Sequence, residues 1–236
     1  MDEVNAPDHL SSSLTDLMTS LMVIFILLLL VFVSHSASKD ASATDALMTQ
    51  LRTQLKKQTN LAEKDVQLDP RDRNAILIVV PDELMSFDSS KSDLKQQGVL
   101  FLKGKPGDVG YTRALASVLC QGDLSKSVET VVIEGHTDTH RWGNDGETES
   151  ENKNLRLSQN RSMAVVQEML SDLGTGTSHA CFLEKLSATG RGEQDAFHDD
   201  PDQRKNDERS RRVIFRIRVK AAVANKVEYS VQAGKR

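Results

Sequence analysis

The sequence predicts an α/β two-layer sandwich preceded by a single transmembrane helix and a short linker helix, and three patterns carry that expectation. An unbroken apolar run of 13 residues, Leu21 to Val33, lies close to the start of the chain. Leucines at positions 47, 51 and 55 recur at four-residue steps, the spacing of one helix face. Farther on, β-branched runs alternate with segments of helical period, the pattern of a sheet covered by helices.

The apolar segment is read as a membrane span over residues 14–34. Twenty residues from Leu14 to Val33, at the rise of an α-helix, cover roughly 30 Å, the thickness of a bilayer core. A secretory signal peptide is the competing reading, because Ser36-Ala37-Ser38 mimics a small-residue cleavage site. Signal peptides need a basic leading region, whereas residues 1–13 hold no Lys or Arg and carry Asp2, Glu3 and Asp8. The first basic residue, Lys39, comes after the span, so charge alone points to an external N-terminus. Asp16 stands at the beginning of the span. A carboxylate there is costly to bury unless paired, protonated or hydrated, which makes it a candidate ion carrier. The alternative is a headgroup-level position in the first helical turn, where negative charge suits the helix dipole. Thr19 and Ser20, one turn on, are candidates for lining a cation path, or else small residues for helix packing.

Beyond the span, residues 35–73 are read as a linker. Ser34 to Thr44 is rich in Ser and Ala and is expected to form a flexible neck. Asp45 to about Lys64 is expected to form an amphipathic helix, whose leucine stripe lies on its own domain or forms a dimer seam or a membrane plug. Asp69-Pro70 ends it, since the residue before proline avoids helical geometry.

Residues 74–222 are read as the folded domain and 223–236 as a tail. Ala75 to Val80 and Val131 to Glu134 are expected as strands and Leu186 to Thr189 as a short one. Helix-compatible sequence surrounds Ser92 to Phe101 and Thr112 to Leu119. Met163, Val166, Leu170 and Leu173 mark a long helix over Asn154 to Leu173. Val213, Phe215, Ile217 and Val219 alternate with Ile214, Arg216, Arg218 and Lys220, the pattern of a half-buried strand, expected as an exposed closing strand.

Composition bounds the function. The formal net charge of -4, with no basic patch or arm, gives no case for direct nucleic-acid binding. No Ser-His-Asp or Cys-His set stands out, so an enzyme is not expected. Cys120 and Cys181 permit one disulfide in an oxidising compartment, or two buried thiols. His136, Asp138 and His140 at two-residue steps invite a metal reading, but no further ligand cluster is evident, and neither a metal nor a cofactor is expected.

The motifs Gly135-His-Thr-Asp138, Asn154-Leu-Arg-Leu-Ser158 followed by Arg161, Gly190-Arg-Gly-Glu193 and Arg211-Arg-Val213 resemble those of OmpA-like peptidoglycan-binding domains, over roughly Ala75 to Lys220. The resemblance implies that Asp138 and Arg161 hold the diaminopimelate of a wall peptide, with Asn154, Leu157, Thr137, Asp88 and Arg211 in support. The residue types suit that ligand, whose free end carries an ammonium and a carboxylate on one carbon. Asn154, Leu157 and Arg161, at steps of three and four, share a helix face. The loop from Arg141 to Lys153 is longer than is usual in that family and acidic; it is expected to be solvated.

The run from Leu14 to Leu30 resembles the single span of MotB-type stator subunits, in which an aspartate near the start of the span takes up and releases the driving ion. Matched to this chain, that residue is Asp16. The segment is similar more closely to the ZorB-type stator subunits of Zorya antiphage systems, for it lacks a long basic leader and the Tyr-Ala-Asp triplet common in flagellar relatives. This likeness implies an inner-membrane, single-pass subunit with a cytoplasmic N-terminus and a periplasmic domain. Its partners would be a second copy of itself, peptidoglycan and a multi-span ZorA/MotA-like subunit, five of the latter to two of this chain. Protons are the expected ion, with sodium as the second choice. A flagellar-type stator subunit and a passive membrane-to-wall tether are the alternatives.

Overall fold

A computed structural model describes residues 8–59, 61–121 and 123–220. The expected leading segment is thus described only from Asp8, and the expected tail, residues 223–236, lies outside the described residues. The described residues divide into two compact units, one ending at Asp40 and the other beginning at Ala41.

Helix α1 is assigned over Asp8–Gln58. In the first unit it includes Leu14–Ser34, which is long and apolar enough to cross a membrane, with every large apolar side chain from Leu14 to Val33 exposed. The stretch 34–44, expected as a flexible neck, is helical. Alanine is the best helix former, serine is tolerated, and no Gly or Pro interrupts the segment. In the second unit α1 stops at Gln58, short of the expected Lys64, and a 3-10 turn comes next at Glu63–Asp65. Leu47, Leu51 and Leu55 are all but fully buried and belong to the core of this unit. Of the three readings open for that stripe, packing on its own domain is the one observed.

Among the described residues, five strands form one mixed sheet in the order β1-β2-β5-β3-β4: β1 (Val66–Leu68), β2 (Ala75–Pro81), β3 (Val128–His136), β4 (Leu186–Gly190) and β5 (Arg212–Val219). All neighbours are antiparallel except β3 and β4. The last strand, expected at an exposed position, instead occupies the centre. Its alternating pattern describes its two faces rather than an edge: Val213, Phe215, Ile217 and Val219 enter the core, while Arg216 and Arg218 emerge on the other side. Pairing on both flanks satisfies its backbone groups, which an edge strand would leave open.

Helices α2 (Gln96–Lys103), α3 (Tyr111–Gln121), α4 (Glu147–Leu173) and α5 (Thr177–Lys185) supply the second layer. Tyr111 and Leu115 of α3, Val165 and Met169 of α4 and Phe182 of α5 meet Ile78, Ile133 and Phe215 of the sheet in a single core. The expected α/β two-layer sandwich, preceded by an apolar helix, is the observed architecture. Helix α6 (Gln203–Ser210) precedes β5; its N-cap Asp202 accepts from the Arg204 amide at 3.1 Å. α4 begins seven residues ahead of the expected Asn154, because Glu147 and Glu149 stabilise the positive end of its dipole.

Cys120 at the end of α3 and Cys181 in α5 are joined in a disulfide across a sequence separation of 61. The bridge ties α3 to α5, two short helices that also pack against each other. Replacing both cysteines with serine is expected to cost about 4 kcal/mol, mainly by freeing the unfolded chain, and to lower the urea midpoint accordingly. Leu51→Ala is expected to destabilise the same domain by roughly 2–5 kcal/mol in that titration. Unchanged stability with weakened self-association would instead mark Leu51 as part of a seam between chains.

Candidate functional site

Strand register builds one end of the sheet into a cluster of charges. Pro81 of β2 pairs with Arg212 of β5, and Arg212 pairs in turn with His136 of β3. The residue just after β2, the pair just after β3 and the residue that precedes β5 therefore come together: Asp82, Thr137-Asp138 and Arg211. These positions are far apart in sequence, and antiparallel pairing alone makes them neighbours.

The helix side of the site depends on a close approach. A Cβ on Gly135 would meet the Ser158 carbonyl oxygen at 2.2 Å, and one on Gly190 would meet the Gln159 nitrogen at 2.5 Å. Only glycine at these two strand positions lets α4 lie directly against the backbone of β3 and β4. Ser158 then accepts from the Gly192 amide at 2.9 Å, and the Gln159 side chain accepts from the Gly190 amide at 2.7 Å. With α4 seated this way, Asn154, Leu157 and Arg161 face the strand ends.

A cleft of about 410 Å³ lies between them, lined by Asp82, Phe87, Lys95, Thr137, Asp138, Asn154, Leu157, Arg161 and Arg211, with His140, Arg141, Trp142 and Gly143 along the loop after β3. Asp138 uses both carboxylate oxygens: Oδ2 accepts from Arg211 Nη1 at 2.8 Å and Oδ1 from the His140 amide at 3.2 Å. Arg211 also lies 3.5 Å from Asp82. Burial opposes its charge, yet the pull of Asp138 and Asp82 prevails and holds its pKa above the ordinary arginine value. Arg161 is buried, with its guanidinium 5.0 Å from the centre of the Phe87 ring. It donates Nε to the Lys91 carbonyl at 3.0 Å and Nη2 to the Asp88 carbonyl at 3.2 Å, and Nη1 has no partner among the described residues. Burial lowers its pKa, and Asp82 and Asp138 offset that only in part. A buried guanidinium left short of negative charge is poised to take a carboxylate.

Six of the seven residues singled out for wall binding line this cleft: Asp138, Arg161, Asn154, Leu157, Thr137 and Arg211. Asp88 is placed differently, for its half-exposed carboxylate pairs with Lys91 at 3.8 Å and Lys95 at 3.7 Å, and only its main-chain oxygen reaches Arg161. Sequence reasoning did not single out Asp82, Lys95 or Trp142. Asp82 had no signal, since nothing but the register brings it to the site. Trp142 stands in the loop expected to be solvated, and the structure fastens that loop. The Trp142 amide donates to Ser150 Oγ at 2.9 Å, its indole Nε1 donates to Asn154 Oδ1 at 2.7 Å, and Lys153 bridges to Asp145 at 2.7 Å.

His136 points to the opposite face of the sheet from α4, buried near Glu134, and burial pushes its pKa below the usual value. Among the described residues no group of three His, Cys, Asp or Glu side chains converges to hold a metal ion. In the apolar part of α1, the Thr19 hydroxyl donates to the main-chain oxygen of Asp16 at 2.9 Å rather than to its carboxylate. That is the usual back-bond of a helical Thr. Ser20 is exposed on the same helix.

Neither a protein-family model nor a curated relative matches the chain. Among solved structures, a MotB-like protein from Desulfovibrio vulgaris superposes with a TM-score of 0.54 at 22% identity, over 78% of this chain and 98% of that one. The periplasmic domain of Helicobacter pylori MotB (TM-score 0.44, 16% identity, 66% of this chain and 82% of that one) also matches. So does the cell wall anchor of the T6SS from Pseudomonas aeruginosa (TM-score 0.44, 16% identity, 72% and 97%). The first of these likenesses shows the fold: the sandwich is built like that of the MotB-like protein.

Proposed function

We propose that this chain anchors a membrane complex to the cell wall, as the wall-gripping and ion-carrying subunit of a stator-type motor in the bacterial inner membrane. The observation that carries the wall contact is the convergence of Asp82, Asp138, Arg161 and Arg211 in one cleft. A diaminopimelate end presents an ammonium and a carboxylate together, so its receptor needs both signs within a few ångströms. Asp138 and Asp82 suit the ammonium. Arg161, buried and under-neutralised, suits the carboxylate, with Arg211 holding the two aspartates in place.

The motor reading rests on Asp16 near the start of the apolar stretch Leu14–Ser34. In lipid such a carboxylate needs a partner helix or a proton, and a multi-span subunit of the ZorA or MotA type would supply the neighbour. Asp16 would then alternate between charged and neutral forms as protons, or secondarily sodium ions, cross. A ring of five such partners around two copies of this chain is the arrangement the stator resemblance implies, and the Zorya-like span favours a role in antiphage defence over motility. The disulfide between Cys120 and Cys181 agrees with a periplasmic domain. A passive tether is the second reading, in which the span serves only as an anchor.

Three outcomes are expected. Asp138→Ala and Arg161→Ala each weaken binding to soluble muropeptides by roughly 10- to 100-fold, the worth of a charge-assisted hydrogen bond, and full-strength pull-down by either variant removes the wall assignment. Asp16→Asn abolishes ion flux and phage protection in cells that insert the protein normally, whereas undiminished activity leaves only the anchor. Replacing residues 14–34 with an unrelated transmembrane helix likewise destroys function in a motor and spares it in a tether.

A further inference from the structure

The face of the sheet turned away from α4 holds a trough of about 830 Å³, against about 410 Å³ for the strand-end cleft. Leu77, Val79 and Ile214 give it an apolar floor. One wall comes from residues 64–71 ahead of β2 and the other from residues 194–197 with Arg209 of α6. Two polar groups in it lack a full partner. His136 is 3% exposed, and among the described residues neither of its ring nitrogens has a hydrogen-bond partner, since the Glu134 carboxylate stands 3.7 Å away. Arg212 faces His136 in the β3–β5 register and donates to the main-chain oxygens of Arg209 at 3.3 Å, Ser210 at 3.1 Å and Asp195 at 3.0 Å. Its guanidinium rests on the Phe197 ring at 4.8 Å, and Arg209 rests on the same ring at 4.0 Å. Burial lowers the Arg212 pKa, and Asp195 and Glu134 offset that only in part. The carboxylates nearby are committed elsewhere: Asp69 and Glu134 pair with Arg216, and Asp195 lies 3.3 Å from Arg191 and 3.6 Å from Arg71.

We propose that this trough docks an extended acidic peptide of a partner protein, a segment in which a carboxylate stands two residues from an apolar side chain. The site lies on the other face of β3 and β5 from the strand-end cleft, so it holds whatever that cleft binds. Charge complementarity picks the acid. Arg212 has dipoles and a ring around it but no carboxylate, and a charge-assisted pair with a ligand gives it what the chain withholds. Arg71 is the second cation within reach, because its side chain is 74% exposed and its pair with Asp195 is of the weak, solvent-screened kind. An incoming carboxylate takes Arg71 over, and Asp195 keeps Arg191. The floor picks the apolar neighbour. Arg212 and Ile214 lie two residues apart on one face of β5, and alternate side chains of an extended peptide, about 7 Å apart, repeat that spacing. His136 is then free to bond the peptide's main chain. A plain anion would meet Arg212 and leave the floor beside it in water, whereas a peptide covers both.

The test selects random displayed heptapeptides against the full-length protein in detergent micelles and titrates the enriched sequences as synthetic peptides. They are expected to carry Asp or Glu two positions from an apolar residue, and exchange of that acid for its amide is expected to weaken binding to the wild type by about tenfold or more. Arg212→Gln is expected to cost about as much, and Val79→Glu, which sets a like charge on the floor, to abolish binding. Arg161→Ala, altered only in the strand-end cleft, is expected to bind the peptides as the wild type does. Selection that enriches no peptide, or equal affinity for an acid and its amide, overturns the proposal, and the second comparison needs no variant to fold. Displacement of the peptides by soluble muropeptides also overturns it, since they then occupy the strand-end cleft. Two other occupants would do the same. Val79→Glu that turns a wild-type dimer into single copies in sedimentation assigns the trough to a second copy, and deletion of residues 221–236 that tightens peptide binding about tenfold assigns it to the chain's own tail.

Discussion

The site depends on one contact: a helix laid directly on two strands at points where neither strand carries a side chain. At Gly135 and Gly190 the backbone of α4 comes so close that even a methyl group would collide with it. Any larger residue would lift the helix by more than an ångström, and Ser158 and Gln159 would lose their bonds to the amides of Gly192 and Gly190. Arg161 lies one turn farther along the same helix, so its distance from the strand ends is set by this seating. The glycines are therefore spacers in the sense that matters for chemistry. They fix how far a cation stands from the anions opposite.

Within the cleft, charge is kept incompletely paired. Arg211 lies between Asp138 and Asp82 and has more negative charge near it than it needs. Arg161 has less, because two of its donors go to main-chain oxygens, which are dipoles rather than charges. Desolvating a guanidinium costs several kcal/mol that dipoles repay only in part. Such a residue gains most from a carboxylate brought by a ligand, which is how a site can favour a zwitterion over a plain cation or a plain anion.

The rest of the domain holds this arrangement steady from its two faces. On the helix side the leucines of α1 close the core and the disulfide fastens α5 to α3. On the open side the sheet carries charge that is matched locally. Arg216 pairs with Asp69 and, at 2.8 Å, with Glu134, and Arg212 is stacked over Phe197 and donates to the Asp195 carbonyl at 3.0 Å. A central strand can carry arginines outward there because neighbouring elements meet them, Arg216 with two carboxylates and Arg212 with a ring and main-chain oxygens. The apolar part of α1 obeys a different rule. Its large apolar residues are exposed all round, while the leucine stripe of the same helix is narrow and covered. A surface apolar on every side suits lipid; a stripe suits a protein core.

Much of this was legible in the sequence because it is local. An apolar run of bilayer length, a four-residue leucine repeat and alternation in the last strand are periodicities, and periodicity survives without knowledge of neighbours. The motifs around Asp138, Asn154, Arg161 and Arg211 were legible for the same reason, since each is a short run of residues with its own spacing. Adjacency, by contrast, was beyond the reach of the sequence. The central place of β5, the entry of Asp82 into the cleft, the turning of Asp88 toward two lysines and the fastening of Trp142 to Asn154 all arise from strand register and helix seating. Those are set by hydrogen bonds and close contacts between residues far apart in the chain, so only the tertiary structure decides them.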